Sequence, residues 1–195
     1  MAKIFYLMGK SSSGKDTIYK KLIQKESLGL HNIVLYTTRP IRAGEKDGVE
    51  YHFVSEEEMY QIQKQGRIIE LRTYDTCLGR WHYFTADDKN INLDTDNYIM
   101  IGTIESFCKT KEYYGDDRVI PIMICLDDGI RLQRALDREK GQDMPKYSEM
   151  CRRFLADETD FSEEKKKEAG IKREFLNENL DKCLEEIEQY ILKQM

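Results

Sequence analysis

Near-continuous apolar runs at residues 3–8, 32–36, 98–102 and 119–126, with a shorter one at 174–176, predict strands. Between them, polar stretches carry apolar residues three and four apart, which predicts helices at 14–25, 104–113, 129–138, 147–158 and 180–193. In the last, Leu180, Cys183, Leu184, Ile187 and Ile191 mark one face. Strands without polar alternation are buried on both sides. Their alternation with helices therefore predicts an α/β fold, a parallel sheet with helices on both faces. Residues 37–84 break the pattern, with turn signals at Arg39-Pro40, Ala43-Gly44 and Asp47-Gly48 and strand-like runs at 68–73 and 81–84. A short helix should begin at Ser55, where Ser55-Glu56-Glu57-Glu58 forms a capping box. Residues 137–153 are charged and hold Gly141 and Pro145 between helical stretches, the pattern of a flap hinged on the core. The run Glu163 to Lys167 reads as a solvated helix face.

A chain of 195 residues is long enough for one sizeable core and short for two full domains. Its net charge of -5 argues against a nucleic-acid surface, so any basic residues that grip an anion must be clustered locally. No apolar stretch approaches the ~20 residues of a membrane span, and the N-terminus lacks a signal-peptide pattern. Cys77, Cys108, Cys125, Cys151 and Cys183 are scattered, and the histidines at 31, 52 and 82 show no metal-ligand spacing. Idle thiols in a reducing cytoplasm fit this better than a disulfide frame or a zinc site.

Chemistry enters where the first strand ends. Gly9-Lys10-Ser11-Ser12-Ser13-Gly14-Lys15-Asp16-Thr17 has the glycine, four residues, Gly-Lys frame of a P-loop. Glycines at 9 and 14 let successive N–H groups turn toward one anion, and the helix that follows adds unpaired donors at its positive end. Lys15 would reach the β- and γ-phosphates of a nucleoside triphosphate. The Ser/Thr that ordinarily follows the lysine and ligates magnesium is replaced by Asp16, with Thr17 one place later. A plain small-residue turn would share the glycines but has no need of a flanking strand and helix.

A second anion site is suggested by Tyr36-Thr37-Thr38-Arg39-Pro40-Ile41-Arg42-Ala43-Gly44-Glu45, followed by Gly48 and Tyr51-His52-Phe53. Arginine's planar fork matches phosphate oxygens, Tyr51 adds a hydroxyl, and Glu45 can hold an arginine or a ribose hydroxyl. Alone, two arginines three apart in a loop would be ordinary surface. Beside a P-loop they fit a phosphoryl-transfer enzyme, which needs separate grips on donor and acceptor.

This stretch resembles the guanylate kinase signature T-T-R-x-P-R-x-G-E-x-x-G-x-x-Y-x-F, with Thr37, Thr38, Arg39, Arg42, Gly44, Glu45, Gly48, Tyr51 and Phe53 in register and the proline displaced to Pro40. The resemblance implies a P-loop NTPase-type core at 1–36, 85–136 and 154–195, a nucleotide-monophosphate-binding insertion at 37–84 and a helical lid at 137–153. It implies that Arg39, Arg42 and Tyr51 bind the acceptor phosphate, with Glu45, Tyr83 and Thr85 as further contacts. It assigns guanine to Glu70, whose carboxylate can accept from N1–H and the amino group together. A short insertion falls around 76–80. Arg131-Leu132-Gln133-Arg134-Ala135-Leu136-Asp137-Arg138 and Cys151-Arg152-Arg153-Phe154 resemble the lid arms, which places Arg138 and Arg153 as the closing arginines. Asn177 stands where the family contacts the adenine of ATP. Gly9, Ser11, Ser12, Ser13, Gly14, Lys15, Asp16 and Thr17 would hold ATP, with Asp16 and Thr17 on Mg2+. Lys15, Arg39, Arg138 and Arg153 would carry the transfer.

Three departures accompany the match. Leu35 occupies the position of a serine that lies near guanine O6 in the family, and residues 99–105 replace an L-D-I-D stretch, leaving Glu105 as its one carboxylate. The G-K-D-T ending resembles the G-K-D-S of ribose 1,5-bisphosphate phosphokinases. The expected reaction is ATP-dependent phosphorylation of GMP or dGMP, with small nucleotides as the partners. A kinase for another phosphorylated acceptor and a non-catalytic guanylate-kinase-like interaction module stand as alternatives.

Overall fold

The computed structural model describes residues 1–42, 44–76, 79–87 and 91–195. Ala43 of the expected turn, Cys77, and residues 77–78 of the expected insertion lie outside them. The apolar runs pair as a five-stranded parallel sheet in the order β2 (Leu30–Asn32), β7 (Asn97–Gly102), β1 (Ile4–Gly9), β8 (Val119–Cys125), β9 (Glu174–Leu176). All six residues of β1 are buried, because it is the central strand and both its faces are covered.

Successive β1 side chains point to opposite faces. Phe5 and Leu7 meet Ile18 and Leu22 of α1 (Lys15–Ile23) and Leu184, Ile187 and Ile191 of α7 (Leu180–Gln194). The face of α7 marked in the sequence is the one it buries. Ile4, Tyr6 and Met8 meet Phe107 of α3 (Ile104–Tyr114) and Phe161, which follows α5 (Tyr147–Asp160). The Tyr6 hydroxyl donates to Ser106 Oγ at 2.7 Å. A Cβ at Gly102 would collide with that hydroxyl, so glycine is needed where β7 hands over to α3.

A second sheet of four strands runs β4 (His52–Phe53), β3 (Tyr36–Thr37), β6 (Gly79–Ala86), β5 (Ile68–Thr76), with β5 and β6 antiparallel. Its outer face packs Leu71 and Phe84 against Met59 of α2 (Glu56–Lys64), whose capping box at Ser55 and Glu58 is formed as expected. The strand expected at 32–36 is divided: the chain leaves the parallel sheet after Asn32 and enters the second sheet at Tyr36. Ile33 and Leu35 are both buried in the main core, so one apolar run serves two sheets. The expected flap is mostly helical. α4 (Asp128–Lys140) and α5 leave six residues between them, and buried Glu139 accepts the Lys146 N–H at 3.0 Å across that turn. The 163–167 run lies in α6 (Glu163–Glu168), which has no buried residue. Among the described residues no helix is long and apolar enough to cross a membrane.

Phe107 is fully buried and meets Tyr6 edge-on with ring centroids 5.5 Å apart. Phe107→Ala should lower unfolding free energy by about 3–5 kcal/mol in a denaturant titration, with unchanged slope. A loss below about 1 kcal/mol would show that the core does not close on this ring.

Candidate active site

The P-loop grows out of the end of β1. Gly14 sits at φ 90°, a left-handed conformation that favours glycine, and a Cβ there would strike the Asn177 amide nitrogen. That nitrogen donates to the Ser13 carbonyl at 2.7 Å, so Asn177, buried just after β9, braces the loop directly. Ser12 at φ 62° is the one non-glycine residue with positive φ among the described residues. Such a conformation costs of order 1 kcal/mol and persists where the surroundings hold it. Among the described residues the buried Ser12 and Ser13 hydroxyls and Asn177 Oδ1 have no hydrogen-bond partner. Leaving such groups unmade costs about 1–3 kcal/mol each, a cost that a ligand bringing acceptors and a donor removes. Among the described residues no side chain caps α1, which leaves its first N–H groups to the same ligand. Lys15 Nζ lies 3.9 Å from the exposed Asp16 carboxylate, and Thr17 is exposed on the same turn.

The inner face of the second sheet carries the acceptor candidates. Buried Arg39 presents Nη1 and Nη2 to Glu45 Oε2 and Oε1 at 3.0 and 2.8 Å, and Nη1 also donates to the Pro40 carbonyl. The guanidinium holds the Glu45 carboxyl below its usual range, and Glu45 also accepts the Arg42 N–H at 2.8 Å. The Arg42 side chain itself is exposed. Arg39 lies 5.5 Å from the Tyr51 ring centroid and 5.4 Å from that of Phe53, and Tyr51 meets Tyr83 edge-on at 5.6 Å. Burial pushes the Tyr51 hydroxyl above its ordinary pKa, and the charges of Tyr83 and Asp16 push the same way.

At the other end of that face, Glu70 and Arg72 form a second fork: Arg72 Nε and Nη2 donate to Glu70 Oε2 and Oε1 at 3.0 and 3.2 Å. Thr85 adds its hydroxyl to Oε1 at 2.9 Å. Leu35 is buried in the core. The lid arginines are not gathered in. Arg138 is exposed, and Arg153 lies 3.7 Å from both Glu139 and Glu149. Among the described residues neither forms a hydrogen bond or ion pair with the P-loop.

Arg134 is placed at the P-loop instead, with Nη1 3.8 Å from where a Gly14 Cβ would stand. Two further residues escaped the sequence reading. Asp157 Oδ2 accepts the Ser11 N–H at 2.7 Å, and Arg131 Nη1 donates to the Ser11 carbonyl at 3.0 Å. Arg131 is 1 % exposed, rests on the Phe154 ring at 4.7 Å, and pairs with Asp128, Asp157 and Glu158. Lys10 closes the cluster on Glu158 at 2.7 Å. The available signal was spacing: Arg131, Arg134 and Arg138 recur at three and four residues, and Asp157 lies one turn after Arg153.

Comparison with known proteins identifies the family. The guanylate kinase family profile matches residues 1–100. A guanylate kinase of Porphyromonas gingivalis is 27 % identical over 201 residues, covering 98 % of this chain and 97 % of that protein. One from Bacteroides fragilis is 32 % identical over 76 % of this chain and 71 % of its own length. The crystal structure of guanylate kinase from Anaplasma phagocytophilum superposes with a TM-score of 0.70 at 20 % identity, over 100 % of this chain and 87 % of that one, a likeness of fold.

The grip on Ser11 is testable by calorimetric binding of a non-hydrolysable ATP analogue. Asp157→Ala removes a charge-assisted hydrogen bond of about 1.5–3 kcal/mol, so affinity should fall by roughly tenfold or more. Asp157→Asn, which keeps an acceptor, should fall less. Equal affinity in all three folded proteins would show that the loop holds its shape without Asp157.

Proposed function

This chain belongs to the guanylate kinase family, and we propose that it transfers the γ-phosphoryl group of ATP to GMP or dGMP. A 5′-phosphate oxygen of the acceptor bonds to the γ-phosphorus while the β,γ-bridging bond breaks, giving ADP and GDP or dGDP. The observation that carries this reading is the pair of anion grips in one chain: the P-loop, whose buried serine hydroxyls have no partner among the described residues, and the Glu45-held fork of Arg39.

Positioning and charge stabilisation supply most of the catalysis in such a transfer, and no covalent intermediate is needed. Lys15 and the first-turn N–H groups of α1 would hold the β- and γ-phosphates. Ser12 and Ser13 would give their hydroxyls to phosphate oxygens, and Asn177 Oδ1 would accept from the adenine amino group. Arg39, Arg42, Tyr51 and Tyr83 would hold the acceptor phosphate in line, with Glu45 fixing the Arg39 plane. The acceptor base would lie toward Glu70, Arg72 and Thr85.

Among the described residues no three His, Cys, Asp or Glu side chains form a metal cluster. Mg2+ asks for less than that, since it takes one or two carboxylates and fills the rest of its shell with phosphates and water. The exposed Asp16 carboxylate beside Lys15, with Thr17 on the same turn, fits an ion carried in on ATP. When bound, the ion would neutralise phosphate charge as the γ-group moves. In this reading residues 37–84 are the monophosphate-binding insertion and 137–153 the lid. Arg138 and Arg153 would reach the transferring group as the lid closes, and closure would exclude water.

Lys15→Ala should abolish phosphoryl transfer in a coupled ADP assay while the fold survives by circular dichroism. Wild-type turnover in that variant would remove the P-loop from the reaction. Arg39→Ala should raise KM for GMP by roughly tenfold or more and leave KM for ATP nearly unchanged. The reverse pattern would mean that the donor and acceptor sites are exchanged.

A further inference from the structure

The Glu70 side chain is 0 % exposed, whereas that of Arg72 is 15 % exposed. A carboxylate has about four lone-pair sites. Three are filled here, two by Arg72 Nε and Nη2 and one by the Thr85 hydroxyl. Two-point acceptance from guanine N1–H and its amino group needs two free sites, and one is left. What this end of the cleft offers to a ligand is therefore the guanidinium rather than the carboxylate. Arg72 has five N–H donors, of which Glu70 engages two.

Its surroundings fit a base-reading role. Arg72 stands opposite Tyr83 in the β5–β6 ladder, and Tyr83 meets both Tyr51 and Tyr74 edge-on at 5.6 and 5.7 Å. Through Tyr83, Arg72 is one residue removed from Tyr51 of the acceptor-phosphate group. Glu70 and Arg72, two apart on one strand, share one face of it. The carboxylate thus fixes the guanidinium plane, as Glu45 does for Arg39.

We propose that Arg72 is the specificity-determining residue of the acceptor site, reading the O6 and N7 acceptors of a 6-oxopurine monophosphate, with Glu70 as its positioning residue. The assignment rests on the reading of this cleft as a purine monophosphate site. Arginine bidentate to O6 and N7 is the commonest specific contact to guanine. Adenine presents an amino donor where O6 would be, and two donors facing each other leave both groups unpaired. Inosine monophosphate keeps O6 and N7 and lacks only the 2-amino group, which this arrangement does not read.

The test is kcat/KM for GMP, IMP and AMP with ATP in wild type, Arg72→Lys and Arg72→Gln. Wild type should use IMP within about tenfold of GMP, and both at least ~100-fold better than AMP. Arg72→Lys keeps a charge on buried Glu70 but loses the fork. It should lower GMP and IMP together by roughly 10–100-fold, mainly through KM, with their ratio unchanged and KM for ATP unmoved. A merely structural role would move ATP and acceptor parameters alike. A GMP preference over IMP of ~100-fold or more in wild type would overturn the assignment, because the amino group would then be read; that comparison needs no variant. GMP and IMP use unaltered in folded Arg72→Lys and Arg72→Gln would overturn it as well. Failure of all three acceptors in wild type would overturn the monophosphate reading and this assignment with it.

Discussion

One nearly inaccessible guanidinium, that of Arg131, ties the nucleotide loop to the rest of the molecule. A charge taken out of water costs several kcal/mol unless it is paired and hydrogen-bonded. Three carboxylates, the Ser11 carbonyl and the Phe154 ring all turn toward it. Asp157 belongs to that set and also accepts the Ser11 N–H, so the same cluster fixes both peptide groups of Ser11. The P-loop is thereby shaped from behind by α4 and α5, and on its other side by Asn177. Arg153 lies one turn before Asp157, so both side chains are carried on the same helix, α5.

The second constraint is the division of one apolar run between two sheets. Residues 33 and 35 stay in the main core while the backbone crosses from β2 to β3, so the second sheet cannot swing freely from its base. The P-loop sits at the carboxyl ends of β1 and β9, where Gly9 passes into the loop and Asn177 reaches it. Ligands in open parallel sheets bind at such ends, since the loops there are free of pairing obligations. The Tyr6 contact with Ser106 extends the same boundary inward, because the charges of Glu70 and Arg72 act on that hydroxyl from the second sheet.

Sequence patterns carried most of the fold and about half of the site's logic, and the reasons are local. β1, α1 and α7 were legible because burial writes itself as a continuous run or a three-to-four spacing. The P-loop and the Arg39–Glu45 turn were legible because their chemistry is packed into a few consecutive residues. The strand at 32–36 misled because apolar continuity does not say which sheet a residue joins. Arg131 and Asp157 were hidden because they meet across 26 residues, and each alone looks like surface charge on a helix. Arg72 was hidden in plainer view: a residue two along a strand from Glu70 must share its face, but only the packed side chains reveal that it covers the carboxylate.

The same pairing explains how a chain of net charge -5 arranges two candidate sites for anions. Arg39 sits on Glu45, Arg72 on Glu70, Arg131 on three acids, and Arg153 on Glu139 and Glu149. Each acid removes part of the positive potential that would attract a phosphate. In return it fixes the plane of a side chain that otherwise carries about 2 kcal/mol of rotamer freedom. For recognition by a fork, orientation matters more than bulk charge, since a misdirected guanidinium makes one hydrogen bond where a directed one makes two. Lys15 differs in kind, a compact charge at a helix start with Asp16 as its near neighbour at 3.9 Å. Directed arginines suit the acceptor, whose base and phosphate must both be read. A point charge suits the triphosphate, whose charge must be met as it moves.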